Sequence, residues 1–274
     1  MKSLKEYINE GLLDRVKNKE VNHKIFIEEF LEANYKITGS YTIKETKSGF
    51  VVDVKGEAEV KNRDITSLTN EFFKFGNVSR KFDCTYCKSI NNLKGAPEKI
   101  RGSFYCYGCS LTSLEGAPEK VGGTFDCRWC NSLRTLEGAP QKIGKDFNCD
   151  ECDSLETLEG APKEVGRYFD CAHCYSLKTL KGSPKEVGSF DCSNCESLET
   201  LEGASKEPLG YFSCDHCDSL KTLEGGPEKA EYFNCIGCKS LTSLEGAPKE
   251  VSKRFDCDTR FVEDDIKKYT TVVK

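Results

Sequence analysis

Long hydrophobic stretches are missing from this sequence of 274 residues, of which 37% are hydrophobic and 31% are charged. No run approaches the roughly 20 apolar residues that a membrane-spanning helix needs, so we expect no membrane contact. The first residues, MKSLKEYINEGLLDRVKNKE, lack the unbroken apolar segment of a secretory signal. We therefore expect a cytoplasmic protein in a reducing compartment, where cysteines occur as thiols or metal ligands and not as disulfides.

An excess of positive charge is also missing, and histidine is scarce. The formal net charge is −5 and the chain has 3 histidines. A nucleic-acid-binding domain usually carries a clustered basic stripe, so we expect no nucleic-acid partner. The sequence contains no Ser-His-Asp order, phosphate-binding glycine loop or recurring acid pair that indicates an active site. It therefore predicts a non-catalytic protein without a cofactor.

Cysteine, in contrast, is abundant, and the 17 cysteines follow a repeat of 21–22 residues. Each repeat begins with F-x-C, and all but the last complete F-x-C-x-x-C and continue with a version of S-L-x-x-L-x-G-A-P-x-x-V-G. A fixed period of this length is typical of solenoids. The repeats begin at Phe82, Phe104, Phe125, Phe147, Phe169, Phe190, Phe212, Phe233 and Phe255.

One repeat contains a strand, a turn and a return segment. In KFDCT, the apolar residues Phe82 and Cys84 alternate with polar ones, as in a half-buried strand. Gly95 permits a sharp turn, and Pro97 blocks continuation of a helix or a strand ladder. A single unit cannot bury its apolar face, but stacked units can. The sequence therefore predicts a curved α/β repeat solenoid with one short parallel strand per repeat.

The repeat resembles the leucine-rich repeat. Phe82-x-Cys84-x-x-Cys87-x-x-Ile90 is similar to the signature L-x-L-x-x-N/C, in its cysteine-containing variety. The combination of FDCSNC with SLETLEGAP resembles leucine-rich repeat proteins of tailed bacteriophages and gut bacteria. The resemblance covers residues 56–260 and implies a binding role. If the chain is phage-encoded, the expected location is the host cytoplasm.

The two ends differ from the repeats and are expected to act as caps. Residues 1–55 are predicted to form a helical segment, with an amphipathic helix at about 22–35, and a hairpin around Ser48-Gly49. Residues 261–274 are predicted to form a C-terminal cap containing a short charged helix.

The C-x-x-C pairs allow two interpretations. Pairs from adjacent repeats could form Zn(Cys)4 sites or iron–sulfur clusters; alternatively, both cysteines pack in the core. Core packing is favoured because glycine never follows the second cysteine and because Arg260 replaces that cysteine in the last repeat. Strands about 4.8 Å apart also hold their side chains too far apart for a tetrahedral zinc site. The metal-binding repeat protein remains the alternative.

The period-2 alternation directs residues beside each inward Phe and Cys onto one continuous face. We predict that this concave sheet face binds a protein partner, and that its carboxylates favour a basic one. Tyrosine, tryptophan and arginine are the usual anchors of interfaces. The candidate binding residues are Tyr105, Tyr107, Asp126, Arg128, Trp129, Asp150, Tyr168, Asp170, Asp191, Tyr211, Asp215 and Tyr232.

The first ten residues, MKSLKEYINE, carry a further alternative. Ser3-x-x-Glu6 is a capping box, and the segment is typical of an ordinary helix. It also resembles the capsid-targeting peptides of internal proteins of large phages, which are cut after a glutamate such as Glu10. In that case the chain would be an internal virion protein.

Overall fold

A computed structural model describes residues 23–70, 72–206 and 209–272. The described chain is a parallel β-solenoid of about ten turns with repeats of about 22 residues. The predicted repeat solenoid is thereby confirmed. Helices are few, because the repeat leaves room for strands and turns only.

The N-terminal cap consists of one helix and one hairpin. Helix α1 (His23–Asn34) buries Ile27 and Leu31, as expected for the amphipathic helix predicted at about 22–35. It leads into β1 (Tyr35–Thr46), which pairs antiparallel along its whole length with β2 (Gly49–Val60). Strand β2 is the first rung of the solenoid, since it pairs in parallel with β3 (Phe73–Val78) and with the first repeat.

The remaining strands stack in parallel, one rung above another. Their bounds are β4 (Phe82–Asp83), β5 (Lys99–Ile100), β6 (Phe104–Tyr105), β7 (Lys120–Val121), β8 (Phe125–Asp126), β9 (Lys142–Ile143), β10 (Phe147–Asn148), β11 (Glu164–Asp170), β12 (Glu186–Asp191), β13 (Leu209–Ser213), β14 (Lys229–Asn234) and β15 (Glu250–Asp256). Helix α2 (Glu263–Tyr269) and β16 (Thr271–Val272) close the C-terminal end, in agreement with the predicted short charged helix.

Each turn contributes a second short strand that the sequence did not reveal. One ladder starts at the repeated Phe, and the other contains the Lys-Val or Lys-Ile pair a few residues earlier. From β11 onward the two are joined into one longer strand, with a register shift between Val165 and Tyr168. We call the outer surface of the first ladder and its following turn the Phe–Asp face.

The core is a set of ladders in which the same residue type recurs at the same place in each turn. The phenylalanine rings from Phe82 to Phe255 stack with centroids 5.1–5.7 Å apart. Both cysteines of each pair are buried beside them, as are the two leucines that follow each pair, the first of which is replaced by Ile90 in the first repeat. Each turn therefore covers the apolar side chains of the turn below, which is how stacked repeats bury a continuous apolar surface.

A left-handed residue turns the chain between the two cysteines of every pair. It has a positive φ of 52–58° at Tyr86, Trp129, Glu151, His173, Asn194 and His216, and glycine occupies it at Gly108 and Gly237. Side chains other than glycine adopt this conformation at a cost of about 1–2 kcal/mol. The corner recurs because its N–H donates to the next turn, as from Trp129 N to the Asp150 carbonyl oxygen (3.1 Å).

Candidate partner-binding face

The cysteines lie on the inner side of this face and form two hydrogen-bonded ladders. The first thiol of a pair donates to a carbonyl oxygen of the following turn, as Cys149 Sγ does to the Asp170 oxygen (3.3 Å). The second donates to a carbonyl oxygen of the preceding turn, as Cys152 Sγ does to the Cys127 oxygen (3.3 Å). The same two contacts recur along the stack at 3.0–3.5 Å.

Burial raises the pKa of most of these thiols, whereas hydrogen bonds with Cys84 and Cys214 lower the pKa of Cys109 and Cys238. Burial raises the pKa of Cys106 and Cys171 well above the usual value, and raises that of Cys87 to about 11. A thiolate, the form that binds metal, would face the carbonyl oxygen that now accepts the thiol proton. Among residues 23–70, 72–206 and 209–272, no group of three or more His, Cys, Asp or Glu side chains is arranged to hold a metal ion.

In six of the described turns the residue after the repeated Phe forms a second contact, on the outer side of the strand. Its side-chain oxygen accepts the N–H two residues later, at 2.9–3.1 Å, at Asp83, Asp126, Asn148, Asp170, Asp191 and Asn234. Such Asx turns hold the chain as it leaves the strand. Asp126, Asp170 and Asp191, predicted as binding residues, therefore also shape the turn, and Asp126 is buried and paired with Arg128 (2.9 Å).

An aromatic corner stands at the N-terminal part of the face. Tyr86 and Trp129 are 46% and 39% exposed at left-handed corners, and Tyr107 lies between them in edge contacts of 5.2 and 6.0 Å. The Arg128 guanidinium lies 5.7 Å from the rings of Tyr107 and Trp129. The corner thus holds three aromatic rings and one cation on consecutive turns. Tyr105 is half-buried on the neighbouring strand.

Four carboxylates without a Lys or Arg partner follow on the next turns. Asp150, Asp170, Asp191 and Asp215 lie on four successive turns. Asp170 and Asp191 are partners in the parallel register, whereas Asp150 and Asp215 follow the first cysteine of their turns. Within the described residues none forms an ion pair with a lysine or arginine. His173 lies 3.0 Å from Asp150, and His216 lies 2.8 Å from Asp215. We call these four aspartates the acidic row.

Asp170 has the most perturbed carboxyl group of the acidic row. Burial raises its pKa to about 7; the N–H of Ala172 opposes this shift, and the charges of Asp191 and Asp150 add to it. A buried carboxyl group with a strongly shifted pKa is a candidate for a functional site.

The tyrosines before the repeated Phe complete the face. Tyr168 donates from its hydroxyl to Asp191 Oδ2 (2.7 Å), which raises the pKa of Tyr168 together with burial. Tyr211 is half-buried beside Tyr232, its partner in the parallel register. Tyr232 is 40% exposed, and Lys253 Nζ lies 5.1 Å from its ring centroid.

The structure brings the predicted binding residues into adjacent rows on the Phe–Asp face, with unequal exposure. Sequence reasoning missed Tyr175, which is 42% exposed and contacts His173, and Ile236 in the corner of a later turn. The sequence carries one signal for the left-handed corners. Of the eight residues that precede a second cysteine, two are glycine and a third is Asn194.

Comparisons with protein-family models, curated proteins and solved structures gave no significant match. The class of the protein is therefore defined by its own geometry: it is a cysteine-rich repeat solenoid. No helix within the described ranges is long and apolar enough to cross a membrane. The predicted membership in a phage or gut-bacterial leucine-rich repeat family stays a prediction.

Proposed function

We propose that this chain is a non-catalytic protein-binding repeat module whose Phe–Asp face binds a basic partner protein. The observation that carries the proposal is the acidic row. Its carboxylates have no Lys or Arg partner among the described residues, and they continue from the exposed aromatic corner. Aromatic and arginine anchors bordered by charges of one sign are typical of interfaces.

The size of the face supports the same function. About ten turns at roughly 4.8 Å per strand extend over about 40 Å, enough for an interface of standard size. A cationic side chain placed beside Asp170 would stabilise the ionised carboxylate and lower its pKa. We therefore expect affinity for the partner to increase between pH 6 and pH 8, while high salt weakens it.

Variants at the aromatic corner test the proposal. The partner is captured from a lysate of the cells in which the protein occurs, identified by mass spectrometry, and purified for calorimetric titration. Trp129→Gly combined with Tyr107→Ala should weaken binding by about 30-fold or more, as expected for loss of hot-spot residues. Glycine suits the left-handed corner at Trp129, as it does at Gly108, so the fold should persist.

The matched control changes exposed residues of the return segment. Lys178→Ala with Lys221→Ala should leave affinity within about twofold, because both exposed side chains belong to the segment that follows the second cysteine and not to the Phe–Asp face. If the corner variant retains full affinity while the control loses it, the binding surface is the return segment and the assignment is wrong.

The cellular setting belongs to the same proposal. We place the protein in the cytoplasm, and in the host cytoplasm as an inhibitor or adaptor if a phage encodes it. The alternative of an internal virion protein depends on residues 1–10, which lie outside the described residues. Cleavage after Glu10 would be visible in the intact mass of virion-associated protein, and a chain still beginning at Met1 would contradict it.

A further inference from the structure

A groove of about 850 Å³ lies away from the aromatic corner and the acidic row, where the N-terminal hairpin meets the first turns of the solenoid. Its floor crosses β1, β2, β3, β5 and β7, the strands that carry the Lys-Val ladder and its extension into the hairpin. Five neighbouring strands span about 19 Å. The groove is therefore long and open.

The walls of the groove carry an excess of unpaired positive charge. Lys55, Lys99, Arg101 and Lys120 line it and are exposed, and within the described part of the chain none of the four forms an ion pair. Two of the three lining carboxylates are already neutralised, because Asp53 binds Lys44 and Glu98 binds Lys74. Glu119 is the remaining one.

Lysines occupy neighbouring rungs in the groove, and the ladder also places like charges together at Glu164 and Glu186. Lys99 and Lys120 precede Ile100 and Val121, which are partners in the parallel register, so the two lysines lie on neighbouring rungs. Like charges in this arrangement are destabilising. Further along the same ladder a lysine instead faces a glutamate and binds it, as Lys229 binds Glu250 (2.8 Å). An anion bound in the groove would offset the repulsion between Lys99 and Lys120.

We propose that the groove binds an extended acidic peptide segment of a partner protein. A groove of about 19 Å matches roughly six residues of extended chain at about 3.3 Å each. Cations on successive rungs can meet carboxylates that are spaced along such a segment. The site is distinct from the Phe–Asp face in position and in charge, so it does not rest on the function proposed above.

Fluorescence anisotropy tests this site on the full chain. The probe is a fluorescein-labelled eight-residue peptide of alternating glutamate and serine, titrated at 50 mM and at 200 mM salt. We expect saturable binding that weakens with salt. Lys99→Gln with Lys120→Gln should weaken binding about tenfold, which corresponds to about 1.4 kcal/mol.

The matched control is Lys221→Gln with Lys229→Gln. It removes the same charge from exposed lysines that are paired with Glu199 and Glu250, and it should change peptide binding by less than about twofold. Trp129→Gly should have no effect on the peptide. Equal weakening by both lysine pairs, or absence of saturable binding, would overturn the proposal. Tighter, groove-dependent binding of single-stranded DNA of the same charge would overturn it too, in favour of a nucleic-acid site.

Discussion

Phe147→Ala is expected to lower the free energy of unfolding by about 3–5 kcal/mol, the usual cost of removing a fully buried phenylalanine. Phe147 is inaccessible to solvent and stacks between Phe125 and Phe169, with ring centroids 5.4 and 5.2 Å away. Its loss removes contacts with both neighbouring turns. Because repeat solenoids are held together by such nearest-neighbour contacts, urea unfolding followed by circular dichroism should show a lower midpoint or two separated transitions.

Phe255→Ala is the control for this effect. Phe255 ends the same ladder, is half-buried, and stacks on Phe233 at 5.4 Å. Its loss should cost clearly less, about 1–2 kcal/mol, since less apolar area is exposed. Equal destabilisation by the two variants would show that the ladder does not hold the turns together.

Asp170→Asn is expected to stabilise the protein above neutral pH by about 1–3 kcal/mol. Burial and neighbouring carboxylates raise the pKa of Asp170 to about 7 in the folded state, against about 3.9 when unfolded. The stability associated with the protonated carboxyl is complete below pH 4 and is lost as the pH rises through 7. Asparagine keeps the Asx turn, as Asn148 and Asn234 do in other turns, and carries no charge.

The measurement is urea unfolding of both proteins at pH 4, 6 and 8. The difference between them should be smallest at pH 4 and largest at pH 8. A variant that is less stable than the original at every pH would show that the ionised carboxylate stabilises the fold. In that case the ionised carboxylates of the acidic row would not destabilise the free protein, and a basic partner would have no repulsion to offset.

The register of the solenoid could be predicted from the sequence because each position of the repeat carries the same residue type in turn after turn. A single F-x-C element does not identify a strand, but nine copies at intervals of 21–22 residues do. The second ladder was missed because in the early turns it is two residues long, as at Lys120–Val121, too short to show a period. The left-handed corners at Tyr86 and Trp129 were missed because aromatic residues rarely adopt this conformation.

The candidate face could be predicted only as a list of residues. Alternation placed Asp126, Asp170 and Asp191 outward, but the sequence does not reveal that their oxygens accept backbone N–H groups. The basic groove could not be predicted at all. Lys55 and Arg101 are far apart in the chain, and they line one groove only because β2 of the hairpin is itself the first rung and the repeats stack on it.

The proposed function uses outward-facing side chains. It therefore requires that the cysteines are buried core residues that bind no metal. Thiol titration with an aromatic disulfide, combined with metal analysis of the same sample, tests this most directly. We predict at most about one fast-reacting thiol in the native protein, the half-buried Cys257 at the end of the ladder, and all 17 after denaturation. Zinc and iron together should amount to well under one per chain. Many fast-reacting native thiols, or two to four metal ions per chain, would contradict that requirement.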